Sequence, residues 1–282
     1  MSYRAFDLRR IAGALGAELA GVDLSEPLDD AVIADIRRAL LDHQVIFFRD
    51  QHLTREQHLA FGRRFGSLNV HDFVGGMADC PEIIEVRKEA DDHGSNFGGA
   101  WHSDVTYLEE PALGSILYAR EVPDFGGDTL FANMYLAYDA LSDGMKRMLD
   151  GMTAVHSARR PYGPRSDWFP TQRAMDIRRS NSAQAEVEHP VIRTHPETGG
   201  KGLFVNSTFT IRFSGMSEEE SAPLLYYLYR HLVRPEFTCR FRWSTNAIAF
   251  WDNRCVQHYA INDYHGQRRV MHRVTVNGDR PY

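Results

Sequence analysis

Residues 250–279 read "FWDNRCVQHYAINDYHGQRRVMHRVTVNGD". Two short runs, "CVQHYAI" (255–261) and "RRVMHRVTV" (268–276), flank a polar turn with His265-Gly266 at its tip, which is the pattern of a β-hairpin. In the returning run Val270, Val274 and Val276 share one face, while Arg269, Met271, Arg273 and Thr275 share the other. Two arginines on one strand face either meet water or line a cavity that binds carboxylates or similar anions, for which a planar guanidinium fork is suited.

Working outward, short apolar runs bounded by Gly, Pro, Asn or Asp dominate from residue 82: "EIIEVRK", "GSILYAR", "DTLFANM", "TAVHSAR", "PVIRTH", "GLFVNS" and "AIAFWDN". "VIFF" within 45–50 reads as one more, a buried strand. Helical spacing covers 29–44, where Val32, Ile33, Ile36, Leu40 and Leu41 fall on one side, and a second helix opens at Thr54 with Gln57 in capping-box register. Two further helices are expected over 136–152 and 216–233, the latter with Ser217 and Glu220 as its capping box. Many short strands decorated by helices point to a mainly β fold, a double-sheet jelly roll, as a single domain over residues 1–282. The polar, Arg-rich stretch 158–188 is weakly patterned and reads as an irregular lid or insertion.

The composition is that of a soluble globular chain: 282 residues, 43% hydrophobic, 25% charged. A net charge of −6 gives no footprint for nucleic acid, so an anionic partner has to be held by local positive groups. Cys80, Cys239 and Cys255 are odd in number and widely spaced, which argues against a disulfide framework and fits a reducing cytoplasm. No run is long or apolar enough for a signal peptide or a membrane span.

The chemistry starts at "GGAWHSDVTY" (98–107). If this stretch is a strand, His102 and Asp104 point the same way, about 7 Å apart along it. An imidazole and a carboxylate so placed can take two neighbouring positions on one metal ion; alone, such a pair is more often a surface feature. A third ligand is at hand in His258. His265 sits at a turn tip and His272 on the valine face opposite the arginines, so both are worse placed. Two histidines and one carboxylate leave the opposite half of a coordination sphere open, the arrangement of non-haem Fe(II) oxygenases.

The segments "WHSDVTY" (101–107), "GGDTLF" (126–131), "WDNRCVQHYA" (251–260) and "QRRVMHRVTV" (267–276) resemble the Fe(II)- and 2-oxoglutarate-dependent dioxygenases of the taurine dioxygenase (TauD/TfdA) family. The resemblance runs from "GAELAGVDLSEPL" (16–28) and "HQVIFFRDQ" (43–51) to "GDRPY" at the end. It implies a double-stranded β-helix, with His102, Asp104 and His258 as iron ligands. It implies 2-oxoglutarate as co-substrate, its far carboxylate held by Arg269 and Thr129, with Gly126 and Gly127 allowing the close turn before Thr129. Hydroxylation of a substrate C–H bond by O₂ would then give succinate and CO₂ from the co-substrate. Relatives of this kind commonly form dimers or tetramers, so a homo-oligomer is expected.

The same resemblance implies substrate contacts at His71, Arg273 and Phe209, which match the sulfonate-binding histidine and arginine and a phenylalanine of the taurine enzymes. Other pocket positions depart: Val74, Gly98 and Ala158 stand where those enzymes carry a tyrosine, an asparagine and a phenylalanine, with Asn96 able to stand in for the lost asparagine. Smaller walls admit a bulkier substrate, and losing the groups around the amine costs affinity for taurine. A small anionic organic acid larger than taurine is expected, such as a sulfonate, sulfate ester or aryloxy acid. The rival readings are a zinc-type hydrolase using the same three ligands, which leaves Arg269 and Thr129 without a role, and a non-catalytic jelly-roll binding protein.

Overall fold

The computed structural model describes residues 3–169 and 174–282. Its main sheet has seven strands, in spatial order Asp7–Arg10, Ala17–Ala20, Val45–Phe48, Ile248–Asp252, Gly114–Glu121, Arg269–Val276 and Ile83–Lys88. The strand Thr129–Asn133 is flanked by Thr238–Phe241 and Val256–Ala260 in one smaller sheet, and Thr153–Ser157 by Thr210–Phe213 and Glu186–Pro190 in another.

Strict alternation assigns the two faces of the main sheet. Ile46, Phe48, Ile116, Tyr118, Ile248 and Phe250 form one buried cluster with Ile33, Ile36 and Leu40 of the helix Asp30–His43 and with Phe61 of the helix Arg55–Arg63. The intervening residues Val45, Phe47, Leu117, Ala119, Ala249 and Trp251 meet Phe131, Phe241 and Val256 of the first smaller sheet. Phe47 stacks on Phe241 with ring centroids 4.0 Å apart, a contact of about 0.5–1.5 kcal/mol beyond its buried area. A one-residue slip of any central strand would exchange the two faces, so the register, with Ile248 opposite both Phe48 and Tyr118, is fixed by packing on both sides. The result is a mostly β molecule with a jelly-roll core, its outer face covered by helices. No described helix is long and apolar enough to cross a membrane.

Both expected capping boxes are present, Thr54 with Gln57 and Ser217 with Glu220. The structure corrects three expectations. The helix expected over 136–152 is two helices, Met134–Asp139 and Asp143–Leu149. Ser142 adopts an extended conformation, accepts from the Met145 N–H and starts the second helix afresh. The hairpin expected over 255–276 does not form, because Val256–Ala260 pairs with Thr129–Asn133 while Arg269–Val276 lies between Gly114–Glu121 and Ile83–Lys88. The polar turn therefore crosses from one sheet to the other. The His102–Asp104 stretch is not a strand: His102 makes a single bridge to His258, and a turn follows in which Val105 has φ of 48°. Within the expected lid, Arg159–Tyr162 is a short helix and Asn181–Gln184 a 3₁₀ turn; its residues 170–173 lie outside the described residues.

Candidate active site

His102 and His258 exchange both backbone hydrogen bonds, at 3.2 and 2.8 Å. Directly opposed residues place their side chains side by side, and the imidazole centroids are 4.1 Å apart. The turn after His102 brings Asp104 back towards them, with its Oδ1 3.6 Å from His102 Nε2 and 4.0 Å from His258 Nε2. All three residues are buried, and one ligand atom of each lies within 4.8 Å of the others.

Hydrogen bonds decide which atoms are free to ligate. His102 Nδ1 donates to the Ala100 carbonyl at 2.7 Å, which leaves a lone pair on Nε2 facing Asp104. Ser115 Oγ donates to Asp104 Oδ2 at 2.7 Å, so Oδ1 is the oxygen turned to the imidazoles. Asn253 ties this arrangement down: its Nδ2 donates to Ser115 Oγ, and its Oδ1 accepts from the Asp104 N–H and from Trp251 Nε1. His258 Nδ1 is buried without a hydrogen-bond partner. Burial by itself raises the Asp104 carboxyl, but the Arg273 guanidinium beside it leads the groups that outweigh burial and hold it well below the usual carboxylate range. Burial, and next the neighbouring His102, hold His258 well below the usual imidazole range. Two imidazole nitrogens and an ionised carboxylate, with His102 and Asp104 held by hydrogen bonds, are a donor set that fits a divalent transition metal.

Beside this cluster is a cavity. His71, Gly98, Phe209 and Arg273 line it beside His102 and Asp104, and Phe97, Tyr162, Trp168 and Phe169 complete an aromatic wall. Arg273 Nη1 donates to Asp104 Oδ1 at 2.9 Å, while its Nε is buried without a partner. Val74 and Ala158 do not line the cavity; both sit behind it in an apolar cluster with Phe73 and Tyr162. Asn96 is turned the other way. It accepts from Tyr264 Oη and Lys88 Nζ and donates to the Ile261 carbonyl, at the edge of a smaller cavity that Arg269 also lines.

Arg269 is buried, and its Nε and Nη2 have no hydrogen-bond partner. Burial lowers the pKa of this guanidinium. Four strand positions separate it from Arg273, and both point to the inner face with Met271. Trp243 Nε1 donates to Thr129 Oγ1 at 3.0 Å, so the threonine hydroxyl proton is free to be given elsewhere. The approach of Thr129 depends on glycine: Gly126 and Gly127 have φ of +75° and +68°, and a Cβ on Gly127 would press the Arg269 side chain at 3.3 Å.

Of the rival ligands, His265 is exposed and His272 pairs with Glu85 on the opposite face. A second close group, His195, Asp252 and Cys255, offers no open donor set. His195 Nδ1 accepts from the Glu197 and Thr198 N–H groups, its Nε2 meets Asp252 Oδ2, and Arg254 holds Asp252 by both carboxylate oxygens.

Residues 7–275 match the model of the family described as "Taurine catabolism dioxygenase TauD, TfdA family". The chain belongs to the TauD/TfdA dioxygenase family. It is 38% identical to an alkylsulfatase of Acinetobacter baylyi, over 96% of this chain and 85% of that protein. It is 36% identical to an alpha-ketoglutarate-dependent sulfate ester dioxygenase of Pseudomonas putida, over 98% and 90%. Among solved structures, a taurine dioxygenase from Burkholderia xenovorans superposes with a TM-score of 0.82 at 36% identity, covering 98% of this chain and 92% of that one. AAD-2 in complex with Mn(II) and N-oxalylglycine gives 0.80 at 28% identity, covering 98% of each.

Tyr162, Trp168, Phe169, Ser115 and Trp243 were not expected at the site from sequence. Three of the four wall aromatics, Tyr162, Trp168 and Phe169, lie in the weakly patterned 158–188 stretch, Ser115 sits inside an ordinary strand pattern, and Trp243 carries no local signal.

Proposed function

We propose that this TauD/TfdA-family chain is an Fe(II)- and 2-oxoglutarate-dependent dioxygenase that hydroxylates a C–H bond of a small anionic organic substrate, best a sulfate ester or sulfonate bulkier than taurine. The observation that carries the reading is the convergence of His102, Asp104 and His258 beside one cavity, with Arg273 facing it and Arg269 buried next door with two guanidinium nitrogens lacking a hydrogen-bond partner. His102 Nε2, Asp104 Oδ1 and His258 Nε2 would hold the metal. Bound Fe(II) supplies the redox chemistry that couples decarboxylation of 2-oxoglutarate to C–H oxidation by O₂, yielding succinate, CO₂ and the hydroxylated product. The protein's part is orientation and exclusion of water. Arg269 and the Thr129 hydroxyl grip the far carboxylate of 2-oxoglutarate, Arg273 and His71 hold the substrate anion, and Phe97, Phe209 and the Tyr162–Phe169 wall enclose its carbon chain. A zinc hydrolase gains no support from the relatives, and it would leave Arg269 and Thr129 idle.

With Val74 and Ala158 off the cavity lining, the preference against taurine rests on charge. Asp104 is the one acidic residue among the described residues lining the cavity, and it already pairs with Arg273, so the ammonium of taurine would find no partner of its own. Succinate formation with taurine, hexyl sulfate, hexanesulfonate and 2-phenoxypropionate should rank taurine last. Taurine turning over faster than all the bulkier acids would contradict the preference.

Ser115 supplies a further prediction. Ser115→Ala removes the donor that occupies Asp104 Oδ2 and frees the carboxylate to rotate. Loss of such an outer hydrogen bond typically costs about 10- to 100-fold in metal affinity. Calorimetric titration with Mn(II) should show that weakening, together with a lower melting temperature, because Asn253 Nδ2 loses its buried acceptor; affinity within twofold of wild type would contradict it. The same reading takes residues 1–282 as one catalytic unit working in the cytoplasm as a homo-oligomer. Support for the compartment comes from the buried, free Cys80, Cys239 and Cys255.

A further inference from the structure

Resting on the site reading above, we propose that the cavity selects substrates bearing a single negative charge, sulfate monoesters and sulfonates, and rejects doubly charged phosphate monoesters of the same carbon skeleton.

The argument begins with His71. The Phe73 backbone N–H donates to His71 Nδ1 at 3.1 Å. A backbone N–H can only donate, so Nδ1 carries a lone pair and the ring proton sits on Nε2, 3.4 Å from Tyr107 Oη. A second proton on Nδ1 would point at the Phe73 N–H. Phe73, Tyr107 and Tyr162 surround the ring, with centroids 5.5 to 6.3 Å from it, and none of them offers a negative charge to offset an imidazolium. The electrostatics agree: burial, and next Arg273, push the His71 pKa down to about 3, against a smaller opposing pull from Asp104. His71 therefore offers an anion a neutral N–H.

Arg273 is then the only cation among the described residues lining the cavity, and its Nη1 is shared with Asp104. The free Nε leaves it able to take one more anionic oxygen. Its charge and that of Asp104 cancel. Arg269, with Lys88 beside it, lines the neighbouring smaller cavity, so among the described lining residues a substrate anion in this cavity meets Arg273 alone. A dianion would bring a second negative charge into a water-poor cavity whose described lining offers no second cation to meet it. Sulfate esters and sulfonates are tetrahedral monoanions at every physiological pH. Phosphate monoesters have the same shape but lose a second proton near pH 6. Charge, and not shape, is thus the discriminating property.

The test is calorimetric titration of the Mn(II)- and N-oxalylglycine-loaded protein, which is redox-inactive, with hexyl sulfate and with hexyl phosphate. At pH 7.5 the phosphate should bind at least 100-fold more weakly. At pH 5.5, where it is largely a monoanion, the gap should shrink at least tenfold. Nitrogen NMR of the histidines, assigned with His71→Gln, should show His71 protonated on Nε2 alone from pH 6 to 8. Equal binding of the two esters at pH 7.5, a gap that does not move with pH, or a doubly protonated His71 at pH 7 would each overturn the proposal. If hexyl sulfate, hexanesulfonate and 2-phenoxypropionate all fail to bind, the reading of the site fails and this inference falls with it.

Discussion

Arg269→Met raises the melting temperature of the metal-free protein and weakens its binding of 2-oxoglutarate at least 100-fold. The two effects have one cause. Arg269 is buried, with two guanidinium nitrogens lacking any hydrogen-bond partner, while a Trp243 ring 5.8 Å away is poor compensation for a lost hydration shell. An uncompensated buried charge costs on the order of several kcal/mol. Met keeps the methylene stem that Gly127 packs against and deletes the charge. A carboxylate that has left water for this cavity then loses the guanidinium that met it, a loss of about 3–5 kcal/mol. Differential scanning fluorimetry and calorimetric titration with 2-oxoglutarate on the Mn(II)-loaded protein read the two effects separately. Unchanged co-substrate affinity, or a lower melting temperature with affinity retained, would contradict the role given to Arg269.

Asp104→Ala has the opposite effect on stability and an even larger effect on metal. It deletes the carboxylate ligand, and with it the partner that balances Arg273, whose side chain is almost entirely buried. Breaking a buried ion pair from one side costs about 3–5 kcal/mol, because the other charge stays behind uncompensated. The double variant Asp104→Ala/Arg273→Met should therefore regain most of the lost stability while remaining unable to bind metal, a non-additivity that a denaturant-melt cycle measures directly. The Asp104 carboxyl is depressed in the folded state, so its contribution is complete above the unfolded carboxylate pKa of about 3.9 and fades only as pH falls towards the folded value. Melts at neutral pH see it in full. A double variant as unstable as the single one would show that Asp104 and Arg273 are not coupled.

The kinds of element could be read from short-range pattern, and Thr129, His71 and Phe209 came only from the family resemblance, whereas the connection between elements could not be read from either. Alternation marked the strands, and Ser or Thr with Glu or Gln three residues later marked two helix starts, because those signals are local. The sheet partner of "RRVMHRVTV" was misjudged because a polar turn after "CVQHYAI" looks the same whether the chain folds back or crosses to the facing sheet. The face assignment survived that error: Arg269 and Arg273 share a side through the two-residue strand period, whichever strand lies next to them. His102 and Asp104 meet for a different reason from the one their spacing suggested. A bridge to His258 and a turn at Val105 bring them together, where a shared strand face would have kept them further apart. Ser115, Trp243 and the Tyr162–Phe169 wall gave no signal, because each acts through a contact distant in sequence and belongs to a residue type at home in any core.

Anaerobic calorimetric titration of Fe(II) into the wild-type protein and into His102→Ala, Asp104→Ala and His258→Ala variants bears most directly on the centre described here. One ion per chain in the wild type, with affinity at least 100-fold weaker in each variant, is the predicted result. A His258→Ala protein that binds Fe(II) as tightly as wild type would contradict it.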